Sequence, residues 1–370
     1  MAQVTFRDKA LPARVRLAMA AVGSAGLDWA NLGFQVQPND GHSEFVWKDG
    51  SWSGGRLVRE PYMTLHVNSV AVHYGQTVWE GLKAFHCKDG SVRVFNDAEN
   101  HARLNRGAER MMIPSVPLEL FRAAIDMAVG ANLSRVPPYG TGGALYLRPL
   151  LMGTGPGLGL GPAKEYRLLV IPIPVGNYYA SASPELLHEG APGKVVLDYD
   201  RAASRGVGAT KCPGNYGADI RPNMEVKDDG YVVGLYLDPL EQRYIEEFNV
   251  TNFVGITKDR KYVAATSPSV LVSCTNKCLM QLARDMGLEV EQRRVDFLGE
   301  IESFAEVGGV GTAAVVLPIR SLTMRDRTFT FGQHEVLKEL KARLEAIQVG
   351  DAPDTHGWTR PVGGAPPSRL

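Results

Sequence analysis

Residues 208–219 read GATKCPGNYGAD, with Lys211 between the small-residue run RGVGAT and the group Pro213-Gly214-Asn215. Glycine and proline at this density predict an ordered turn and a poor helix. An arbitrary loop lysine is ordinarily a solvated surface group. A lysine whose amine is used chemically, as in a Schiff base with a carbonyl cofactor, needs defined partners around it. The rest of the chain must supply them.

The chain has 370 residues, beyond the size at which one core usually stops growing, so two domains are expected. Hydrophobic residues make up 44%, and 40 basic residues balance 40 acidic ones. Such a surface offers no net charge to recruit nucleic acid or an anionic membrane. Cys87, Cys212, Cys274 and Cys278 form no CxxC, and CTNKC lacks the partners of a zinc site. No metal is expected, and reduced thiols suit a cytosolic enzyme. The opening MAQVTFRDKALPARVRLAMAAVG is basic, but its apolar run is short for a signal peptide. Asp8 and Pro12 interrupt the pattern of an organellar transit segment, the alternative to a cytoplasmic location. Nowhere do about 18 uncharged apolar residues run together, so no membrane span is expected.

Strand-like runs in the first half are MTLHVNSVAV (63–72), SVRVF (91–95), ALYLRPL (144–150) and YRLLVIPIPVG (166–176). Helical spacing marks DAENHARLNRGAERMM (97–112) and LELFRAAIDMAVGAN (118–132), and MGTGPGLGLGPAK is a loop. A linker in NYYASASPELLHEGAPG divides a smaller unit over 1–178 from a larger one over 194–370, with 179–193 between them. The second unit carries KVVLDYD, the lysine loop, YVVGLYLD (231–238), NFVGI (252–256) and TAAVVLPI as extended runs. Its helices are CTNKCLMQLARDMG (274–287), with a Ser or Thr cap, and HEVLKELKARLEAIQ (334–348). Regular βαβ repeats and GxGxxG are absent, so mixed α+β domains fit better than a dinucleotide fold.

Pyridoxal phosphate asks for an amine, an acid opposite its pyridine nitrogen, and donors around its phosphate. QRYIEEFNVTNF offers Glu246 and Glu247, whose side chains point to opposite faces of an extended backbone. Spacing alone does not choose between them, and an isolated EE pair is usually a solvated face. GGVGTAAVV places Gly311 and Thr312 before an apolar strand, and VSCTNKC enters a helix whose first N–H groups suit an anion. Arg103 reads locally as a surface arginine.

Five segments, HYGQTVWEGLKAF (73–85), ALYLRP (144–149), ATKCPGNYGAD, EEFNVTNF and GVGTAAVVLPI (309–319), occur in one order along the chain. Together they resemble the branched-chain amino acid aminotransferases of the fold-type IV pyridoxal-phosphate class, over roughly residues 30 to 365. The resemblance implies a two-domain mixed α/β fold with the cofactor at the domain interface. It implies Lys211 as the Schiff-base lysine and Glu247 as the acid opposite the pyridine nitrogen. Arg103, the backbone of Cys274 and Thr275, and Thr312 resemble phosphate ligands, Tyr216 the partner of the ring oxygen, and Arg201 an arginine near the cofactor. Phe34, Tyr74, Trp79, Arg148 and Tyr178 match substrate-pocket positions, with Ala313 and Ala314 near the carboxylate. Leu158 and Leu160 resemble loop residues that the second subunit of a homodimer supplies.

Trp79 departs from the commoner phenylalanine and should reshape the apolar pocket. Val250, Val272 and Pro213 also depart, while every cofactor-side residue type is kept. The implied reaction moves the amino group of L-leucine, L-isoleucine or L-valine to 2-oxoglutarate, with Lys211 as the proton-transfer base. D-amino acid aminotransferases and aminodeoxychorismate lyases share the fold but do not typically carry the VWEGLKAF and YLRP set. A cofactor-binding homologue without catalysis is the non-enzymatic alternative, against which retention of Lys211 and Glu247 argues.

Overall fold

The computed structural model describes residues 22–176, 186 and 189–363. The N-terminal segment, Tyr178 and most of the expected linker lie outside the described residues. Among those described, nine strands form one sheet: β1 (His42–Lys48), β2 (Ser51–Trp52), β3 (Arg56–Val58), β4 (Thr77–Trp79), β5 (Leu82–His86), β6 (Val92–Phe95), β7 (Ala144–Gly153), β8 (Glu165–Val175) and β18 (Thr359–Pro361). Its order is β18-β6-β5-β7-β8-β1-β2, with β3 on β1 and β4 on β7.

A second sheet of nine contains β9 (Ala191–Val196), β10 (Val233–Leu237), β11 (Ile245–Phe248), β12 (Asn252–Thr257), β13 (Tyr262–Ala265), β14 (Val290–Arg293), β15 (Phe304–Gly311), β16 (Val315–Met324) and β17 (Arg327–Thr330). Its order is β11-β10-β9-β16-β15-β12-β13-β14, and an additional β11–β12 pairing through Glu247 and Asn252 closes six of these strands on one another. Parallel pairs (β9 with β10 and β16, β13 with β14) mix with antiparallel ones, as the α+β reading expects.

Seven helices are α1 (Val70–Tyr74), α2 (Asp97–Arg110), α3 (Leu118–Ala131), α4 (Pro213–Asp228), α5 (Cys274–Asp285), α6 (Phe297–Glu300) and α7 (Glu335–Val349) among the described residues. The apolar stripe of α3, including Phe121, Ile125 and Val129, packs into a core with Leu145, Leu147 and Leu168. Beneath the second sheet, Phe248, Phe253, Phe297 and Phe304 form another. A third cluster joins Phe85 and Phe95 of the first sheet to Leu337, Leu340 and Leu344 of α7. That seam fixes the two sheets against each other, because close-packed apolar contacts tolerate little displacement.

Four expectations need correction. MTLHVNSVAV is not a strand: Val67 and Val72 are exposed, Ser69 bonds the Gly153 carbonyl, and the chain turns into α1. The lysine motif does not stay a turn either, since α4 begins at Pro213. Proline is tolerated at the first helical position, where its missing N–H had no partner to find. Buried Asn215 then ties the first turn of α4 to the carbonyls of Val207 and Thr210, at 2.9 and 2.8 Å. The linker 179–193 ends too late, because Ala191 already belongs to β9. Finally, the last strand leaves the second unit and pairs with β6. Pro361 costs little on that edge, and Arg360 anchors it to Asp97 at 2.7 Å and to Asp126 at 2.8 Å.

Candidate active site

A cavity of about 340 Å³ lies between the two sheets. Trp79, Tyr146 and Arg148 line it from the first sheet, with Phe34 and Arg103 beside them; Glu247 lines it from the second, with Arg201, Lys211, Tyr216, Ser273, Thr312 and Ala313 from the segments that join its strands. Residues far apart in sequence thus line one cavity.

Lys211 enters just before α4, and its backbone carbonyl accepts the Trp79 N–H at 3.0 Å, which fixes the lysine against β4. Its Nζ donates to the Tyr216 hydroxyl at 2.8 Å and stands 3.9 Å from the centroid of the Trp79 ring. Burial lowers the pKa of this amine to about 7, with the charges of Arg103 and Arg148 adding to the effect and Glu80 and Glu247 opposing it. The Arg148 guanidinium also lies over the Trp79 ring, 4.1 Å from its centroid. The Tyr146 hydroxyl accepts from Arg148 at 3.1 Å, and Phe34 packs edge-on against Tyr146.

Glu247 faces this cavity and Glu246 does not. Neither is the solvated side chain that an isolated EE pair predicts, for both are buried. Glu247 pairs with Arg201 at 2.8 Å and accepts the Leu271 N–H at 2.9 Å. Burial raises its pKa to about 7 against the pull of Arg201 and that N–H. Arg201 is itself held by the carbonyls of Gly208 and Ser269.

Helix α5 starts at the cavity edge, capped by Ser273, whose Oγ accepts the Asn276 N–H at 3.1 Å. Cys274 and Thr275 are buried, and their N–H groups have no hydrogen-bond partner among the described residues. Buried helix starts normally satisfy these donors, so this one has room for an anion. Arg103 reaches the same place from α2 and donates to the Val272 carbonyl at 3.0 Å. Thr312 closes this side, its hydroxyl donating to the Gly81 carbonyl at 3.0 Å.

Sequence reasoning missed the partner of Arg103. Glu80, fully buried, grips that guanidinium as a fork at 2.6 and 2.7 Å. An acid inside the apolar run VWEGLKAF was the available signal, since a buried charge needs a partner. Tyr146 and Asn252 are further lining residues: each lies inside a quoted motif, ALYLRP and EEFNVTNF, but was given no role there.

Tyr74 is a correction: it does not line this cavity but is 43% exposed, with its hydroxyl on the Leu158 carbonyl at 2.5 Å. Leu158 and Leu160 are 83% and 88% exposed on that same loop. Ala314 is buried and, like Ala313, borders a neighbouring cavity of about 1000 Å³. That larger space has neither the Lys211 amine nor the start of α5 in its lining.

The family model described as amino-transferase class IV matches residues 77–322. A branched-chain-amino-acid aminotransferase of Haemophilus influenzae is 38% identical over 343 residues, covering 90% of this chain and 98% of that relative. The solved branched-chain amino acid aminotransferase of Escherichia coli gives a TM-score of 0.72 at 26% identity, over 86% of this chain and 99% of that one. The branched-chain amino acid aminotransferase of Thermobaculum terrenum, solved in its PLP form, has the same fold with a TM-score of 0.70 at 18% identity, over 89% of this chain and 100% of that one. By motif, fold and relatives, the chain belongs to the class IV aminotransferases, among the branched-chain-amino-acid aminotransferases.

Proposed function

We propose that this chain is a pyridoxal-phosphate-dependent transaminase, reversibly moving the amino group of L-leucine, L-isoleucine or L-valine to 2-oxoglutarate. The observation that carries this reading is one buried amine, Lys211, sharing a cavity with the Glu247–Arg201 pair and bordered by an unpartnered helix start.

The residues present fit the cofactor. The free N–H groups of Cys274 and Thr275, with Arg103, would hold its phosphate, and the Thr312 hydroxyl joins them by giving up Gly81. Glu247 would hold the pyridine nitrogen, and Tyr216 the ring oxygen. The lining carries Arg103, Arg148, Arg201 and Lys211 against Glu247, a cationic excess suited to a phosphate and a substrate carboxylate. Bound pyridoxal phosphate supplies an electron sink that makes the Cα proton of an amino acid removable.

Lys211 Nζ is the base for that proton. With a pKa near 7 it exchanges a proton at neutral pH, and its bond to Tyr216 fixes where the nitrogen points. Glu247, steadied by Arg201, would keep a proton at the ring nitrogen of the bound cofactor. Phe34, Trp79 and Tyr146 form an apolar sleeve for a branched side chain, and Arg148 at its edge receives the second carboxylate of 2-oxoglutarate. Thr312, Ala313 and Ala314 offer N–H groups that make no hydrogen bond among the described residues, and these receive the α-carboxylate.

The exposed loop supports a homodimer. Leu158 and Leu160 stand beside Tyr74, Val67 and Val72 on one surface, joined by the Tyr74–Leu158 bond and by the Gly157 N–H on Asn68. Exposed apolar residues grouped in this way mark an interaction site, and a second copy would bring Leu158 and Leu160 to its partner's pocket. Sedimentation showing a monomer at micromolar concentration would overturn that assignment.

The functional reading is tested with the purified holoprotein. L-leucine should convert the absorbance of the lysine-linked cofactor, and 2-oxoglutarate should restore it with formation of glutamate. A spectrum unmoved by L-leucine, or moved by D-leucine instead, would reject it.

A further inference from the structure

The loop joining β15 to β16 carries constrained backbone at the edge of the site. Gly311 pairs with Val315, leaving Thr312, Ala313 and Ala314 between them. Val315 is buried and holds φ at 61°, in the left-handed region. A β-branched residue there is a genuine outlier, and it persists only when surrounding contacts over-determine it. Two contacts from the first sheet do so. One is the Thr312 hydroxyl on the Gly81 carbonyl, at 3.0 Å. The other is Lys83 on β5, whose Nζ donates to the Ala313 carbonyl at 3.0 Å.

Lys83 is part-buried at the edge of the larger cavity, and desolvation there lowers its pKa to about 8. The charged groups nearest it are Glu345 and Lys341 of α7. Taking an ammonium out of water is costly unless it is well bonded, so its aim at one backbone carbonyl calls for a purpose. The trans peptide supplies one. Ala313 C=O and Ala314 N–H belong to the same planar unit and point in opposite directions. Fixing the oxygen toward Lys83 therefore fixes the Ala314 N–H away from it. The Thr312 anchor competes with any anion that takes its hydroxyl; the Lys83 anchor does not.

We propose that Lys83 is a positioning residue for substrate: by holding the Ala313 carbonyl, it sets the N–H groups of the Thr312–Val315 loop that receive the α-carboxylate. This rests on the transaminase reading above. Every substrate of the ping-pong cycle carries that carboxylate, so the effect falls on donor and acceptor alike.

The test is Lys83→Met in the holoenzyme. KM for L-leucine and for 2-oxoglutarate should both rise, by about 10- to 100-fold, as for a displaced substrate-positioning group. Cofactor content should be unchanged and kcat should change far less than KM. Independently of activity, amide hydrogen exchange in the paired strand ends that flank the loop, 309–311 and 315–317, should quicken. Lys83→Gln, which loses the charge and shortens the reach, should do the same to a smaller degree and stands in should K83M fail to fold. Wild-type KM values and exchange in either variant overturn the proposal, as does a loss confined to cofactor content or kcat. Because exchange is read without substrate, failure of the transaminase assignment and failure of the Lys83 anchor give different results.

Discussion

Glu246 and Glu247 are neighbours on β11 and turn to opposite sides of it. Glu247 meets Arg201 at 2.8 Å in the cavity, whereas Glu246 takes the hydroxyls of Ser267, at 2.9 Å, and Ser269 behind the strand. Strand periodicity demands this split, and the closure of β11 on β12 selects which carboxylate faces inward. Glu247→Gln should therefore reduce turnover about 30- to 1000-fold, the effect of losing ~2–4 kcal/mol of electrostatic stabilisation at a developing charge. Glu246→Gln should stay within about tenfold of wild type. Steady-state kinetics of the two variants decide it, and a larger defect in E246Q would show that the wrong carboxylate was assigned.

Lys211→Ala should abolish transamination while leaving the fold in place. The amine is buried among Trp79, Tyr216 and two guanidinium groups, so its removal takes away a desolvated cation rather than a packing anchor. Cofactor should still bind through the other contacts, but the absorbance of the lysine-linked form should vanish. Wild-type turnover by K211A would refute the assignment.

Much of this site was legible because its motifs combine residue types with a backbone requirement. Lys211 beside Pro213 and Gly214, the paired acids, and Gly311-Thr312 before an apolar run each named a place where chemistry and chain geometry meet. Illegible were the features created only by long-range pairing. Glu80 reads as a lone acid until α2 brings Arg103 to it, and Lys83 as a lone base until the hairpin brings the Ala313 carbonyl. Helix α4 was hidden because Gly214, Gly217 and Pro222 oppose helix formation locally, while tertiary contacts through Asn215 and Val226 stabilise it. Strand β18 was hidden because three residues carry no periodicity.

Cofactor uptake by the apoprotein should report the lowered pKa of Lys211. Only the neutral amine attacks an aldehyde, and burial brings its pKa from the ordinary lysine value of 10.5 to about 7. Below pH 7 the amine is protonated, so the rate of linkage should rise about tenfold per pH unit there and level off above. Stopped-flow absorbance after mixing apoprotein with pyridoxal phosphate gives the midpoint. A rate still climbing at pH 9 would mean that the amine is not desolvated as the structure has it.

Trp79→Phe should change selectivity among branched substrates while retaining activity with each. The Lys211 amine and the Arg148 guanidinium both lie over the indole, at 3.9 and 4.1 Å from its centroid, and the ring tilts against Tyr216 at 4.8 Å. It is therefore a wall of the cavity and not a core residue beneath it. Phenyl removes volume and keeps an apolar face, so leucine and isoleucine should gain relative to valine. One methylene's worth of fit is ~1–3 kcal/mol, which caps the change in the kcat/KM ratio near about 200-fold. The smaller ring also weakens both cation–π contacts, each worth ~0.5–2 kcal/mol, so Arg148 should bind the second carboxylate less selectively and KM for 2-oxoglutarate should move as well. A pure packing role predicts something else: a lower Tm with an unchanged leucine-to-valine ratio. If that ratio and the KM for 2-oxoglutarate both stay at wild-type values in W79F, Trp79 does not belong to the substrate site.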